Sequence, residues 1–213
     1  MQALFGNLDP SLQMIFLLLG LTLLPFIFVS MTSFMRYAIV LSILKTALGT
    51  QQAPPGPVLI GIALVMTFYT MGPTMTDIME HIEKPIQHKQ SVMVIMSEGV
   101  KPLRDFMLRQ TRQEDEQFFL ELTRDEPPSG PDDITLWEAA PAFMISELRT
   151  SFEIGFLIFI PFIVVDLVVA NILLALGMMM LSPTIISLPF KILIFIAVDG
   201  WNLVIQGLVK SFN

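Results

Sequence analysis

The segment Gly177-Met178-Met179-Met180-Leu181-Ser182-Pro183 connects two long apolar stretches, each with one carboxylate in its interior. The core of a water-soluble protein has no need of three consecutive methionines ahead of a Ser-Pro break. Methionine is unbranched and flexible, so it can fill irregular or changing gaps. The segment therefore indicates a turn between two membrane segments at which Met178, Met179 and Met180 form a deformable seal. The alternative is an ordinary hydrophobic turn.

Composition places the chain among integral membrane proteins. Of its 213 residues, 54% are hydrophobic and 15% are charged, whereas a soluble domain carries about 25% charged residues. Spanning a bilayer takes roughly 20 apolar residues, and four segments are long enough, at about 12–34, 57–76, 152–176 and 184–208. There is no cysteine, and we expect neither a metal nor a cofactor.

Charge divides the chain into three parts. Between Asp77 and Arg149 there are 15 acidic and 8 basic residues, so the net charge of −7 arises there. We predict an all-α fold in which two hairpins of long apolar helices, 1–76 and 141–213, flank an acidic helical insert at 77–140. An acidic surface argues against binding to nucleic acid.

Basic residues in short loops predict the orientation in the membrane. Arg36 and Lys45 lie in the first hairpin without an acidic residue beside them, so we interpret them as cytoplasmic-side anchors. The acidic insert and both termini then lie on the opposite side. Residues 1–11 contain no lysine or arginine, which favours a retained first helix over a cleaved signal peptide.

Prolines and glycines predict the helix ends of the first hairpin. Pro25 should kink the first helix, which continues to Leu48 and ends at Gly49 in the C′ position. Pro57 is suited to the first turn of the next helix.

The insert shows several helix signals. Ser91 should cap a short turn that ends at Gly99, and Pro102 should open the next helix. The capping box Thr111-Arg112-Gln113-Glu114 predicts a further helix, and 125–133 reads as a loop.

Four charged residues lie within or beside the C-terminal apolar segments. A carboxylate such as Asp166 inside a membrane segment suggests function, and we favour a hydrogen-bonded anchor between helices or subunits over a proton relay. Asp199 either pairs with a neighbouring helix or lies at the outer interface beside Trp201. Glu147 and Lys191 suggest a buried ion pair, within or between subunits, unless Lys191 extends to the interface.

The sequence contains no nucleophile–base pair, phosphate-binding loop or cluster with metal-ligand spacing. Catalysis requires such a constellation of groups, so we do not expect an enzyme.

Six motifs, in the same order along the chain, resemble the FliP family of flagellar type III export-gate proteins, whose injectisome counterpart is SctR. The resemblance extends from about residue 22 to Phe212. The motifs are Met31-Thr32-Ser33-Phe34, Ala47-Leu48-Gly49-Thr50-Gln51-Gln52-Ala53-Pro54-Pro55, Phe143-Met144-Ile145-Ser146-Glu147-Leu148-Arg149, Ile154-Gly155-Phe156, Gly177-Met178-Met179-Met180 and Ile186-Ser187-Leu188-Pro189-Phe190-Lys191.

The resemblance implies a pentamer, completed by FliR and FliQ type subunits, within a larger export apparatus. The assembled helical cone would belong to the flagellar basal body in the bacterial inner membrane and project towards the periplasm. Unfolded protein substrates would pass through its lumen. Met178, Met179 and Met180 would seal that lumen, and Glu147 and Lys191 would contribute to contacts between subunits.

Three alternatives stay open. The chain could be the equivalent subunit of a virulence injectisome, although 103–112 looks like the flagellar form. A small ion channel or transporter would place Asp166 and Asp199 on a wet pathway. A purely structural membrane scaffold would tolerate replacement of all three methionines without a leak.

Overall fold

The computed structural model describes residues 10–50, 53–124, 128 and 130–212. This part of the chain is built of helices and contains no strand, which confirms the all-α fold class. The helices are α1 (Pro10–Met31), α2 (Phe34–Leu48), α3 (Gly56–Gln87), α4 (Val92–Gln110), α5 (Gln113–Thr123), α6 (Leu136–Ala175), α7 (Pro183–Ala197) and α8 (Gly200–Lys210), with a 3-10 turn at Pro131–Asp133.

The length and composition of the helices agree with the four apolar segments. Among the described residues, α3 and α6 are each long and apolar enough to cross a membrane. The pairs α1–α2 and α7–α8 are also long and apolar enough to cross a membrane if each pair counts as one broken span. The number of candidate membrane spans is then four.

The break in the first segment does not lie at its proline. Helix α1 continues through Pro25, and the chain leaves the helix at Thr32 and Ser33. The Thr32 hydroxyl donates to the carbonyl of Phe28 at 2.7 Å, a local bond that competes with regular helix geometry. The prediction of one helix extending to Leu48 is therefore wrong.

The loop of the first hairpin agrees with its sequence signals. Helix α2 ends at Leu48, and Gly49 adopts φ +76°, the left-handed conformation expected at C′. Pro57 lies in the first turn of α3. Gln51 and Gln52, which belong to the family-like motif, lie outside the described residues.

The insert departs from its predicted boundaries because α4 is one helix. It runs through both Gly99 and Pro102, and Ser91 precedes it without a capping bond from its side chain. A Cβ on residue 99 would lie 2.9 Å from Ile82 Cγ2. Gly99 therefore permits close packing and does not end a helix.

Helix α5 begins where a new helix was predicted, but Thr111 does not cap it. The Thr111 hydroxyl donates back to the Met107 carbonyl at 2.7 Å, and Arg112 occupies the N-cap position. The predicted loop at 125–133 lies partly outside the described residues, and its end forms the 3-10 turn.

The chain divides into two compact units. Unit 1 comprises Met1–Ser33 and Met71–Ser146, and unit 2 comprises Phe34–Thr70 and Glu147–Asn213. The predicted division into 1–76, 77–140 and 141–213 follows charge and hydropathy, and it stays a prediction.

Unit 1 has a small aromatic core between α4 and the start of α6. Phe106, Met107 and Phe143 are buried, with the two rings 5.9 Å apart at 60°. The backbone N–H of Arg112 donates to Ser146 Oγ at 3.0 Å, which joins the start of α5 to α6.

An ion pair fixes the start of α6 within unit 1. Arg124 donates to both carboxylate oxygens of Glu138, with Nη2 to Oε2 at 2.8 Å. Hydrogen bonds from Arg124, together with weaker contributions from Thr135, lower the pKa of Glu138 to about 2. Glu138 lies in the first turn of α6, well before the apolar part of that helix.

The lowered pKa of Glu138 predicts a pH-dependent stability of unit 1. Because the carboxylate is favoured in the folded state, its contribution is complete above the ordinary pKa of 4.5 and is lost as pH falls towards about 2. The difference in unfolding free energy between wild type and Glu138→Gln should be constant above about pH 5 and shrink below it. Acid titration of both proteins tests this, with the exposed Glu121→Gln as control. An unchanged difference at pH 3 would contradict it.

Unit 2 is organised around one face of α2. Its buried side chains recur at helical spacing, and they are Tyr37, Val40, Leu41, Leu44, Ala47 and Leu48. On the same helix, Ile43 packs so closely against Gly155 that a Cβ at residue 155 would overlap its side chain. This close approach brings α2 and α6 together.

The last apolar segment, 184–208, is bent between two helices. Helices α7 and α8 meet at 64°, and Asp199 at the corner adopts φ +52°. The rings of Phe195 and Trp201 pack edge-to-face at 5.3 Å. A Cβ on Gly200 would overlap the ring of Phe195, so the corner requires glycine there.

We expect Gly200→Ala to destabilise unit 2 by about 1–3 kcal/mol, because the added methyl overpacks against an aromatic ring. Gly207→Ala on the same helix is the matched control, since no atom lies within 4 Å of its Cβ position. That control should be neutral or stabilising by up to about 1 kcal/mol. Denaturant titration of both variants in micelles measures the difference, and equal effects would contradict the packing argument.

Candidate functional site

The methionine turn follows a well-defined end of α6. The N–H of Gly177 donates to the Leu174 carbonyl at 3.0 Å, and the N–H of Met178 donates to the Leu173 carbonyl at 2.9 Å. This pair of bonds is a Schellman motif, and it needs the left-handed φ of +72° that Gly177 supplies. The turn therefore has a fixed start.

The three methionine side chains point away from the protein. Their exposed fractions are 48% for Met178, 80% for Met179 and 100% for Met180. Pro183 then begins α7 in its first turn. A contiguous exposed apolar turn of this kind marks a contact with another molecule or with lipid.

Lys191 lies at the centre of a buried polar cluster. Its Nζ donates to Asp166 Oδ2 at 2.6 Å and to the Ala47 carbonyl at 3.2 Å. Asp166 also accepts a hydrogen bond from the Ser187 hydroxyl. Lys191 is only 4% exposed, so it does not extend to an interface, and this cluster joins α2, α6 and α7.

Asp166 on α6 is hydrogen-bonded to Ser187 and Lys191 on α7. Its interpretation as an anchor between helices or subunits, favoured over a proton relay, stays a prediction. Lys191 has two partners within the chain, the Asp166 carboxylate and the Ala47 carbonyl at the end of α2. In sequence, Asp166 and Lys191 are separated by 25 residues and belong to different apolar segments.

Glu147 and Arg36 form a second buried cluster. Arg36 Nε donates to Glu147 Oε2 at 2.7 Å and Nη2 donates to Oε1. Arg36 is 2% exposed and Glu147 is 0% exposed. Within the chain, Glu147 therefore pairs with Arg36 and Lys191 pairs with Asp166. Their contribution to contacts between subunits, including a bond to each other there, stays a prediction.

The other two charged residues lie at helix ends. Asp199 accepts a hydrogen bond from Asn202 Nδ2 at 2.8 Å, on the exposed side of the corner before α8. Lys45 lies half-buried in the last turn of α2, where its positive charge interacts favourably with the helix dipole. The roles of Arg36 and Lys45 as cytoplasmic-side anchors stay predictions.

The sequence pattern indicates a membrane anchor at Arg36 and does not indicate its pairing with Glu147. One signal could have found the pairing. Both residues border apolar segments, and isolated charges in such segments are stable chiefly in pairs.

These features define a class, that of all-helical proteins with apolar helices of membrane-spanning length and buried ion pairs between them. The chain belongs to the FliP family, whose profile matches residues 17–208.

The relatives cover nearly the whole chain. The flagellar biosynthetic protein FliP of Pectobacterium carotovorum subsp. carotovorum is 47% identical over 203 residues, which cover 95% of this chain and 79% of the relative. The protein of the same name from Bacillus subtilis (strain 168) is 44% identical over 207 residues, which cover 97% and 94%. The one from Aquifex aeolicus (strain VF5) is 43% identical over 211 residues, which cover 98% and 88%.

Proposed function

We propose that this chain is a pore-forming core subunit of the flagellar type III export gate, in which unfolded substrates pass through a lumen that Met178, Met179 and Met180 seal. The observation that carries the proposal is the outward presentation of these methionines, up to 100% exposed for Met180. Thioether side chains are flexible enough to close around a narrow hole and to yield to a passing chain.

Assembly into a closed ring would place the methionine turn of each subunit in contact with the turns of its neighbours. Five copies, completed by FliR and FliQ type subunits, would bring five methionine turns together and cover the exposed apolar faces of α6 and α7. The cone would form in the bacterial inner membrane as part of the flagellar basal body and project towards the periplasm. Membrane-spanning lengths of α3 and α6 support this location.

The flagellar form is supported over the injectisome form by its relatives, since those described above are flagellar biosynthetic proteins. The ion-channel alternative is less well supported. Asp166 is bound to Lys191 and Ser187, and a carboxylate compensated in this way is poorly suited to a wet ion pathway.

Deletion of the gene in its own host tests the proposal. We expect cells without filaments that retain filament protein inside the cell, and a plasmid copy should restore both secretion and swimming. Loss of injectisome secretion with normal swimming would favour the injectisome subunit. Normal secretion by every type III system, together with altered ion flux, would favour the channel.

A further inference from the structure

Both edges of the Arg36 guanidinium donate hydrogen bonds. One edge donates to the two carboxylate oxygens of Glu147. The other donates through Nη1 to the Ser211 carbonyl at 2.7 Å and to the Ser211 hydroxyl at 2.8 Å. A planar fork of donors suits this two-sided binding, and a lysine could not reproduce it.

The residues after α8 also cover the face of the guanidinium. The Phe212 ring lies 3.7 Å from Arg36 Cζ, a cation–π contact, and 5.4 Å from the ring of Tyr37. The Tyr37 hydroxyl in turn bonds to Thr70 Oγ1 at 2.5 Å. We call Ser211 and Phe212 the C-terminal strap, because they pack over Arg36 and connect the end of α8 to α2.

The buried carboxylate of Glu147 is fully engaged by Arg36 of the same chain. Glu147 is 0% exposed and is held by two bonds from one arginine. A direct bond to Lys191 of another copy would require both buried residues, 0% and 4% exposed, to be uncovered, which would disturb the Arg36–Glu147 and Asp166–Lys191 pairs. Breaking a buried pair leaves an uncompensated charge, which is strongly unfavourable.

We propose that Arg36 is a positioning residue that joins α2, α6 and the C-terminal strap, and that Glu147 acts inside its own subunit. Any effect of Glu147 on assembly is then indirect: the residue stabilises the fold of unit 2, and the folded unit makes the contacts between subunits. That last clause rests on the proposed function, whereas the pairing itself concerns the isolated chain.

A double-mutant cycle on the purified chain, separated from oligomers, tests the pairing. Arg36→Gln leaves the Glu147 carboxylate buried and should lower the folding equilibrium constant by roughly 100-fold. Adding Glu147→Gln removes that charge and should recover all but about tenfold of the loss. The control cycle combines Glu147→Gln with Lys191→Met, and we expect its effects to add.

An additive first cycle would overturn the proposal, and so would strong coupling in the control cycle. These measurements need no gate partner or export assay, so failure of the export function would leave them unaffected.

Hydrogen exchange tests the strap. Phe212→Ala should speed amide exchange in residues 36–48 and around Glu147, while the exposed Lys210→Ala should not. Faster exchange confined to residues 208–212 would show that the strap does not hold α2, and would overturn that part of the proposal.

Discussion

Replacing Met178, Met179 and Met180 together with alanine should make cells that assemble the complete gate permeable to small ions and metabolites. The methionines are 48%, 80% and 100% exposed, so their bulk contributes to contacts with other molecules and little to the fold of the chain. The three residues lie in the turn between α6 and α7, outside both helices, and we expect the unfolding free energy to change by no more than about 0.5 kcal/mol. The triple variant should still assemble and export.

The measurement is membrane leak, by conductance or by growth on salts, in cells that express all gate subunits. The matched control is a triple alanine variant at three other exposed methionines, Met79, Met93 and Met96, which lie far from the turn in sequence and should give no leak. An assembled variant at 178–180 that stays tight would show that these methionines only pack, and the seal would lie elsewhere.

Flexibility, separately from size, can be tested at the same three positions. β-branched isoleucine has nearly the bulk of methionine, but its χ1 is nearly fixed. A ring of isoleucines should therefore keep the closed state tight and slow the passage of substrate. Secretion rate and leak measured on the same cells distinguish this outcome from a simple change of size.

Helix ends that depend on local chemistry were largely predictable from sequence. The positive φ of Gly49 and the place of Pro57 in the first turn of α3 follow from the geometry that glycine and proline allow. Predictions failed where packing overrode the local signal. Gly99 was interpreted as a helix end, yet its missing Cβ makes room for Ile82 and the helix continues.

The candidate site was predictable in its residues and only partly in its contacts. Met178–Met180, Glu147 and Lys191 stand out because their residue types are unusual in such surroundings. The partner of Glu147 is Arg36, 111 residues away, and no periodic pattern relates two positions that far apart. The pairing depends on how α2 packs against α6, through the close approach of Ile43 to Gly155.

Loss of the Lys191 charge should have the second large effect, on the stability of unit 2. Lys191→Met removes the cation that neutralises Asp166, while its unbranched side chain fills most of the same volume. The carboxylate, 27% exposed, is left in a largely apolar contact between α6 and α7, which should cost about 2–3 kcal/mol, somewhat less than breaking a fully buried pair. The protein should therefore be recovered in low yield, with a lowered denaturation midpoint in micelles.

Adding Asp166→Asn to Lys191→Met should restore most of that loss, because asparagine is neutral and its side-chain carbonyl can still accept the hydrogen bond from Ser187. Asp166→Asn alone should be milder than Lys191→Met, because the lysine keeps its bond to the Ala47 carbonyl at the end of α2. The exposed Lys210→Met is the matched control and should stay within about 0.5 kcal/mol of wild type. A double variant no more stable than Lys191→Met would mean that the loss arises from the Ala47 contact, and that the charge of Asp166 does not need Lys191.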